Sequence, residues 1–336
     1  MMNIGVLGAG SWGIALTKLL SENGHNVTVW SIDKDEITML NEHREHLTKL
    51  PGVKIDESVI FTTDVEATCK DKKMLVMVVP SPFIRSTAKT IAPYVTREQI
   101  VVNVSKGIEE NTLMTLTEVI SDEIKDVNVA VLSGPSHAEE VGKGLPTTVV
   151  AGASSKEIAE LIQDTFMTDY FRVYTSPDVM GIELGGALKN VIALAAGIAD
   201  GLGCGDNTKA ALITRGIAEI SRLGVAMGGH ESTFAGLSGI GDLIVTCASK
   251  HSRNRNAGYL MGQGKTYKEA LDEVKMVVEG VYSAKAALKL SVKLGIEMPI
   301  VEIVNKILFE DLSAKDAMVS LLTRMKTAED KDLLWK

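Results

Sequence analysis

The chain has 336 residues, 45% hydrophobic and 23% charged, which is enough to bury two cores. Its net charge of -8 excludes a general binder of nucleic acid or of anionic membrane, although local basic clusters can still take a small anion. The three cysteines, Cys69, Cys204 and Cys247, fit neither a zinc spacing nor a redox pair and imply a reducing compartment.

The N-terminus goes straight into a strand pattern, with no basic leader and no cleavage site, and no apolar run reads as a membrane span. The expected location is the cytoplasm. Residues 3–7 form an apolar run suited to a buried parallel strand. Gly8, Gly10 and Gly13 follow, then an amphipathic helix over 14–23 stopped by Gly24, then a strand over 26–30. Strand, glycine-rich turn, helix and strand make up the dinucleotide-binding fingerprint. In it Gly8 permits the tight turn, Gly10 lets the backbone approach a pyrophosphate, and Gly13 lets helix and strand pack closely. The helix N-terminus adds free N–H groups and partial positive charge. After the second strand, Asp33 suits a ribose 2′-hydroxyl and Lys34 suits a 2′-phosphate, and either also suits a solvated turn. NAD and NADP are both left open.

Further strands are predicted over 74–79, 100–103, 127–132, 147–151 and 171–175, with a helix over 156–166. In an open parallel sheet ligands bind beyond the carboxyl ends of the strands. Lys106, Gly134, Ser136 and Ala138 all stand just after such ends. His137 lies among them and is weighed as a general base, against a plain backbone-bonding role.

From residue 176 helical periodicity takes over, which places a domain boundary between 177 and 178. The first helix runs to Gly201, with Ser176 as the expected cap and Pro177 in the first turn. It is apolar but carries Lys189, which shares a face with Gly185, Gly186, Ala193 and Ala196. Either another backbone or a ligand fills the space above those small residues. Helices are also expected over 208–223, 267–275, 282–294 and 300–309. A flexible segment around Gly239 and Gly241 leads into a helix, with Asp242 as a candidate N-cap and Thr246 on the same face one turn later. Ser252, Arg253, Asn254, Arg255 and Asn256 read as a donor-rich loop suited to a phosphate, or as a polar surface loop.

Taken in order, these motifs resemble the NAD(P)-dependent glycerol-3-phosphate dehydrogenases, in the shorter bacterial form. The resemblance rests on the stretches 8–13, 105–107, 133–140, 186–193, 239–243, 252–254 and 277–280, and so covers nearly the whole chain. It implies an α/β N-terminal Rossmann domain (residues 1–177, a mostly parallel doubly wound sheet) and an all-α C-terminal domain (178–336) like that of 6-phosphogluconate dehydrogenase. It implies reversible reduction of dihydroxyacetone phosphate to sn-glycerol 3-phosphate with NAD(P)H and no metal, supplying glycerophospholipid synthesis. Lys189 would be the catalytic acid and base. Lys106, Gly134, Ser136, Lys189, Asp242, Ser252, Arg253 and Asn254 would bind substrate. Gly8, Gly10, Ser11, Trp12, Gly13, Lys106, Ala138, Arg253, Val277 and Glu279 would bind the cofactor. A homodimer is the candidate assembly. Many bacterial members carry His or Arg where this chain has Ile32, which weakens any claim for NADP preference and leaves the choice of NAD(H) or NADP(H) open. A β-hydroxy-acid dehydrogenase explains the 252–254 stretch less well, and a nucleotide sensor without turnover has no need of Lys189, Lys106 and Asp242 together.

Overall fold

The computed structural model describes residues 1–329. The strands are β1 (Asn3–Leu7), β2 (Asn26–Trp30), β3 (Glu45–His46), β4 (Leu50–Lys54), β5 (Ile60–Thr62), β6 (Met74–Met77), β7 (Ile100–Asn103), β8 (Asn128–Ser133), β9 (Thr147–Gly152) and β10 (Phe171–Ser176). Eight of them form one sheet in the order β10-β9-β8-β7-β6-β1-β2-β5, while β3 and β4 form a separate hairpin. Neighbours in the large sheet are parallel except β8 and β9. The chain runs from β1 outward through β2 to β5, then returns to β6 on the other side of β1. This reversal of direction opens a crevice above β1 and β6, where a doubly wound sheet binds its ligand.

The alternation of the strands decides their burial. Side chains of β1, β6 and β7 are almost all buried, because helices cover both faces of the sheet. One apolar cluster fills the face under the helices Ser11–Glu22 and Lys156–Phe166, and another lies on the opposite face under Ile84–Ile91 and Leu116–Glu123.

Beyond β10 the described residues form helices only. They pack round the helix Val179–Gly201, in which every residue from Gly181 to Ala199 is buried. By length and a mean hydropathy of 1.4 this helix passes as a membrane span, contrary to the sequence reading, but its apolar window is wholly buried inside the protein. It is the core of the helical half. Its start also differs from expectation. Ser176 is still paired in β10, and Asp178 is the cap, its Oδ1 accepting from Gly181 N at 2.9 Å. The other carboxylate oxygen accepts from His230 N and the Thr233 hydroxyl. Two further differences are the helix Arg253–Gly262, where a loop is expected, and the short strand β5 and hairpin β3–β4, which the sequence pattern does not mark.

Candidate active site

A cleft of about 1350 Å³ lies between the sheet and the helical half. The turn after β1 forms one end. Gly8 has φ +124°, a conformation that other residues rarely adopt. A Cβ on Gly13 would stand 2.1 Å from the Gly8 carbonyl oxygen, so helix and turn meet through bare backbone. A Cβ on Gly10 would meet nothing within 4 Å. Gly10 therefore borders open space at the N-terminus of Ser11–Glu22, a helix start with no side-chain cap. Free amides, a positive dipole end and a cradle left empty by glycine suit a dinucleotide pyrophosphate. Ser11, Trp12, Ala138, Val277 and Glu279 line the same cleft. The Ser11 hydroxyl donates to the Lys49 carbonyl at 2.8 Å.

Glu279 reaches across from the helical half to the segment after β6. One carboxylate oxygen accepts from Ser81 N at 3.0 Å and the other from the Ser81 hydroxyl. Burial raises this carboxyl above its ordinary range, against those two bonds and the nearby Arg253.

The middle of the cleft holds a charged relay. Lys189, only 6% exposed, donates to Asp242 Oδ1 at 2.5 Å and to the Thr246 hydroxyl at 2.6 Å. Lys106 donates to Asp242 Oδ2 at 2.6 Å and to the Gly134 carbonyl at 3.0 Å. Thr246 in turn donates its proton to the Asp242 carbonyl, so its oxygen accepts from Lys189. Burial lowers Lys189 from the ordinary 10.5 to about 8, with Lys106 adding to the effect and Asp242 opposing it. Burial pushes the Asp242 carboxyl the other way, but the two ammonium groups and their hydrogen bonds hold it below the usual range.

Local sequence explains this placement. Lys106 follows β7, and Asn103 at the strand end shapes its turn, accepting from Ser105 N and donating to the Ser105 carbonyl. Glu183, buried on the long helix, accepts from the same Asn103 amide and from Thr117, which pins that helix to the end of β7 and to the helix Leu116–Glu123. Neither Asn103 nor Glu183 stands out in the sequence. Asp242 opens the helix Asp242–Ala248 directly after a π-type turn over Leu237–Gly241. It is not the N-cap that the sequence suggests. Gly241 holds that position, and the Asp242 side chain is spent on the two lysines.

The donor-rich stretch is a helix start. Ser252 is the cap, its Oγ accepting from Arg255 N at 3.2 Å. Arg255 is bound to Asp200, and the Asn254 amide is divided between Asn190 Oδ1 and Gly280 N. Of the two guanidiniums only Arg253 lines the cleft. Ser136 and Asn254 also line it, and the Ser136 hydroxyl donates to the Gly134 carbonyl. Gly13, Gly134 and Asp242 lie behind the lining. His137 also lines the cleft, with a buried Nε2 that has no hydrogen-bond partner, and burial lowers its pKa. Among the described residues no group of His, Cys, Asp and Glu side chains is arranged to hold a metal ion.

Two family models match, described as the N-terminus of NAD-dependent glycerol-3-phosphate dehydrogenase over residues 3–159 and its C-terminus over residues 178–319. The glycerol-3-phosphate dehydrogenase (NAD(P)+) of Agathobacter rectalis is 62% identical over 336 residues, covering 100% of both chains. The chain belongs to the glycerol-3-phosphate dehydrogenase family. The Bacillus subtilis member is 50% identical over 337 residues, covering 99% of this chain and 98% of its own. The crystal structure of the glycerol-3-phosphate dehydrogenase from Coxiella burnetii superposes with a TM-score of 0.93 at 36% identity, covering 96% of this chain and 99% of the other. The Gly8–Trp12 segment and Lys189 line one and the same cleft.

Proposed function

We propose that this chain interconverts dihydroxyacetone phosphate and sn-glycerol 3-phosphate with NAD(P)(H), in the service of glycerophospholipid synthesis, and that Lys189 is its acid and base. The observation that carries the reading is the buried Lys189–Asp242–Lys106 relay opening on a cleft that also holds a nucleotide turn. When bound, the nicotinamide cofactor supplies the hydride that reduces the C2 ketone. As negative charge develops on the ketone oxygen, the Lys189 ammonium stabilises it and donates the proton. A lysine lowered to about 8 by burial has a pKa near neutral pH, so it gives up the proton readily and retakes it in the reverse direction. Asp242 holds the ammonium in place, and Lys106 keeps a second positive charge beside the substrate hydroxyl. Arg253 and the Ser252–Asn254 helix start bind the phosphate, and Gly134 and Ser136 complete the substrate site. Binding the remote phosphate holds C2 in register with the reacting groups. Gly8, Gly10, Ser11, Trp12, Gly13, Ala138, Val277 and Glu279 hold the cofactor, and Lys106 and Arg253 reach both ligands.

The same proposal divides the chain into a nucleotide domain over 1–177 and a substrate domain over 178–336, working in the cytoplasm as a homodimer. Mass measurement in solution checks the last point. The reaction is tested by adding dihydroxyacetone phosphate to the purified chain with NADH and with NADPH. Oxidation that depends on the ketone is expected. No oxidation with either nucleotide overturns the reading.

A further inference from the structure

The end of β2 carries a polar cluster that the reaction itself does not use. Ser31, directly after the strand, is 6% exposed and donates to Glu36 Oε2 at 2.5 Å. Glu36 stands in the first turn of the helix Lys34–His43 and is 8% exposed. Its Oε1 meets His46 Nε2 at 2.8 Å and accepts from the Lys49 ammonium. His46 and Lys49 come from the β3–β4 hairpin, whose loop is tied to the nucleotide turn by the Ser11 bond to the Lys49 carbonyl. Ser31, Glu36 and Lys49 all line the cleft beside Gly8 to Trp12.

In a doubly wound sheet the end of the second strand faces the adenosine ribose, where an acid selects a 2′-hydroxyl and free cations select a 2′-phosphate. On this wall the lining residues bring Asp33 and Glu36 against the single cation Lys49. Lys49 is already paired with Glu36, and burial of that carboxylate does not neutralise it. Burial acts to raise its pKa, but the bonds from His46, Lys49 and Ser31 bring it to about 2. Asp33 spends Oδ1 on capping the helix through Asp35 N and Glu36 N. Ile32, 84% exposed, offers no donor, and Lys34 is exposed and outside the lining. A phosphate of nearly two negative charges would meet a fixed carboxylate and, among the lining residues of this wall, only a cation already paired with it. A hydroxyl meets acceptors on both acids.

We propose that Glu36, held by Ser31, His46 and Lys49, is the specificity residue that makes this chain select NADH over NADPH. The inference rests on the dehydrogenase reading but is read without substrate. Trp12 and Trp30 line the cleft, so quenching of protein fluorescence reports binding of each nucleotide to the full chain. NADH is expected to bind at least about tenfold more tightly than NADPH. Glu36→Gln keeps the shape, removes the charge and frees Lys49, so the two affinities should come within about threefold of each other, mainly through tighter NADPH. Ile32→Arg, at an exposed position that does not threaten folding, should also tighten NADPH by about tenfold while leaving NADH nearly unchanged. Equal affinities in the wild type, or an unchanged ratio in folded Glu36→Gln, overturns the proposal. So does a failure of Ile32→Arg to tighten NADPH if Glu36→Gln does not fold. Loss of both nucleotides overturns the dehydrogenase reading with it, whereas a clear NADH preference without turnover of dihydroxyacetone phosphate overturns that reading alone.

Discussion

Replacing Lys189 with Met keeps the length of the side chain and removes its charge. Burial lowers this lysine from 10.5 to about 8, with Lys106 adding to the effect and Asp242 opposing it. That difference is worth about 3 kcal/mol. The folded pKa is below the unfolded one, so the folded state carries this cost in full below pH 8, where both states hold the proton. The cost is relieved as pH rises from about 8 towards 10.5, where only the unfolded state still binds it. Lys189→Met removes the cost at neutral pH, and Asp242 keeps Lys106 as its partner. The variant should therefore melt no lower than the wild type at pH 7, and should lose the alkaline gain in stability. NADH should still bind, because the Gly8–Gly13 turn is untouched. Turnover should fall by at least about 10²-fold, in kcat and kcat/KM alike, because the interaction lost is made in the transition state. In the wild type, ketone reduction should slow as pH rises through about 8, and alcohol oxidation should gain through the same range. Thermal melts and steady-state kinetics on one preparation decide the matter. A folded Lys189→Met with near-normal turnover would refute the acid/base assignment.

Arg253→Ala should raise the KM for dihydroxyacetone phosphate about ten- to a hundredfold, the loss of a charge-assisted bond of about 1.5–3 kcal/mol, with an unchanged circular dichroism spectrum. An unchanged KM removes Arg253 from the phosphate site. Gly10→Ala, whose new methyl meets nothing within 4 Å, should melt like the wild type but weaken NADH by about tenfold or more. Gly13→Ala should instead cost about 1–3 kcal/mol of stability, since its methyl would press on the Gly8 carbonyl, and a reversed pattern in the two melts contradicts this geometry. Glu219, raised to about 7 by burial against its bonds from Ile300 N and Val301 N, binds its proton more tightly in the folded state. The stability it contributes is complete below pH 4.5 and is lost, on the order of 3 kcal/mol, as pH climbs to 7. Denaturant midpoints of wild type and Glu219→Gln should therefore diverge across that window, and parallel curves would count against it.

What the sequence reveals and what it hides follow from range. The strands β1, β6 and β7 are continuous apolar runs because both of their faces are covered, and such runs show in a single window. The nucleotide turn shows for the same reason, as its constraints fall within six residues. β5 does not show, because it is three residues long with Ile60 exposed. The helix Arg253–Gly262 reads as a loop because its first turn is all donors, and what makes it a helix, the Ser252 cap and the packing of Gly258 on Leu194, lies partly far away in sequence. Asp242 reads as a cap because acids at helix starts usually are caps. Its actual partners are 53 and 136 residues away, and no local pattern reports them.

The small residues around Lys189 raise the question of whether backbone or ligand fills the space above them, and at Gly185 the structure answers with backbone. A Cβ on Gly197 would stand 2.0 Å from the Arg255 carbonyl oxygen, and one on Gly185 would stand 2.5 Å from that of Ser238. Backbone therefore closes on the long helix on both sides of Lys189 along the chain. The approach at Gly185 brings the Leu237–Gly241 turn against the helix, which places Asp242 within reach of the lysine. The approach at Gly197 brings in the helix that starts with Arg253. Between them the Lys189 side chain still faces the cleft. A larger residue at either glycine would push away the element that carries the Asp242 counter-ion or the one that carries Arg253. Close packing of this helix is thus the condition for a buried ammonium to have a partner at all, since an unpaired charge at this depth would cost several kcal/mol.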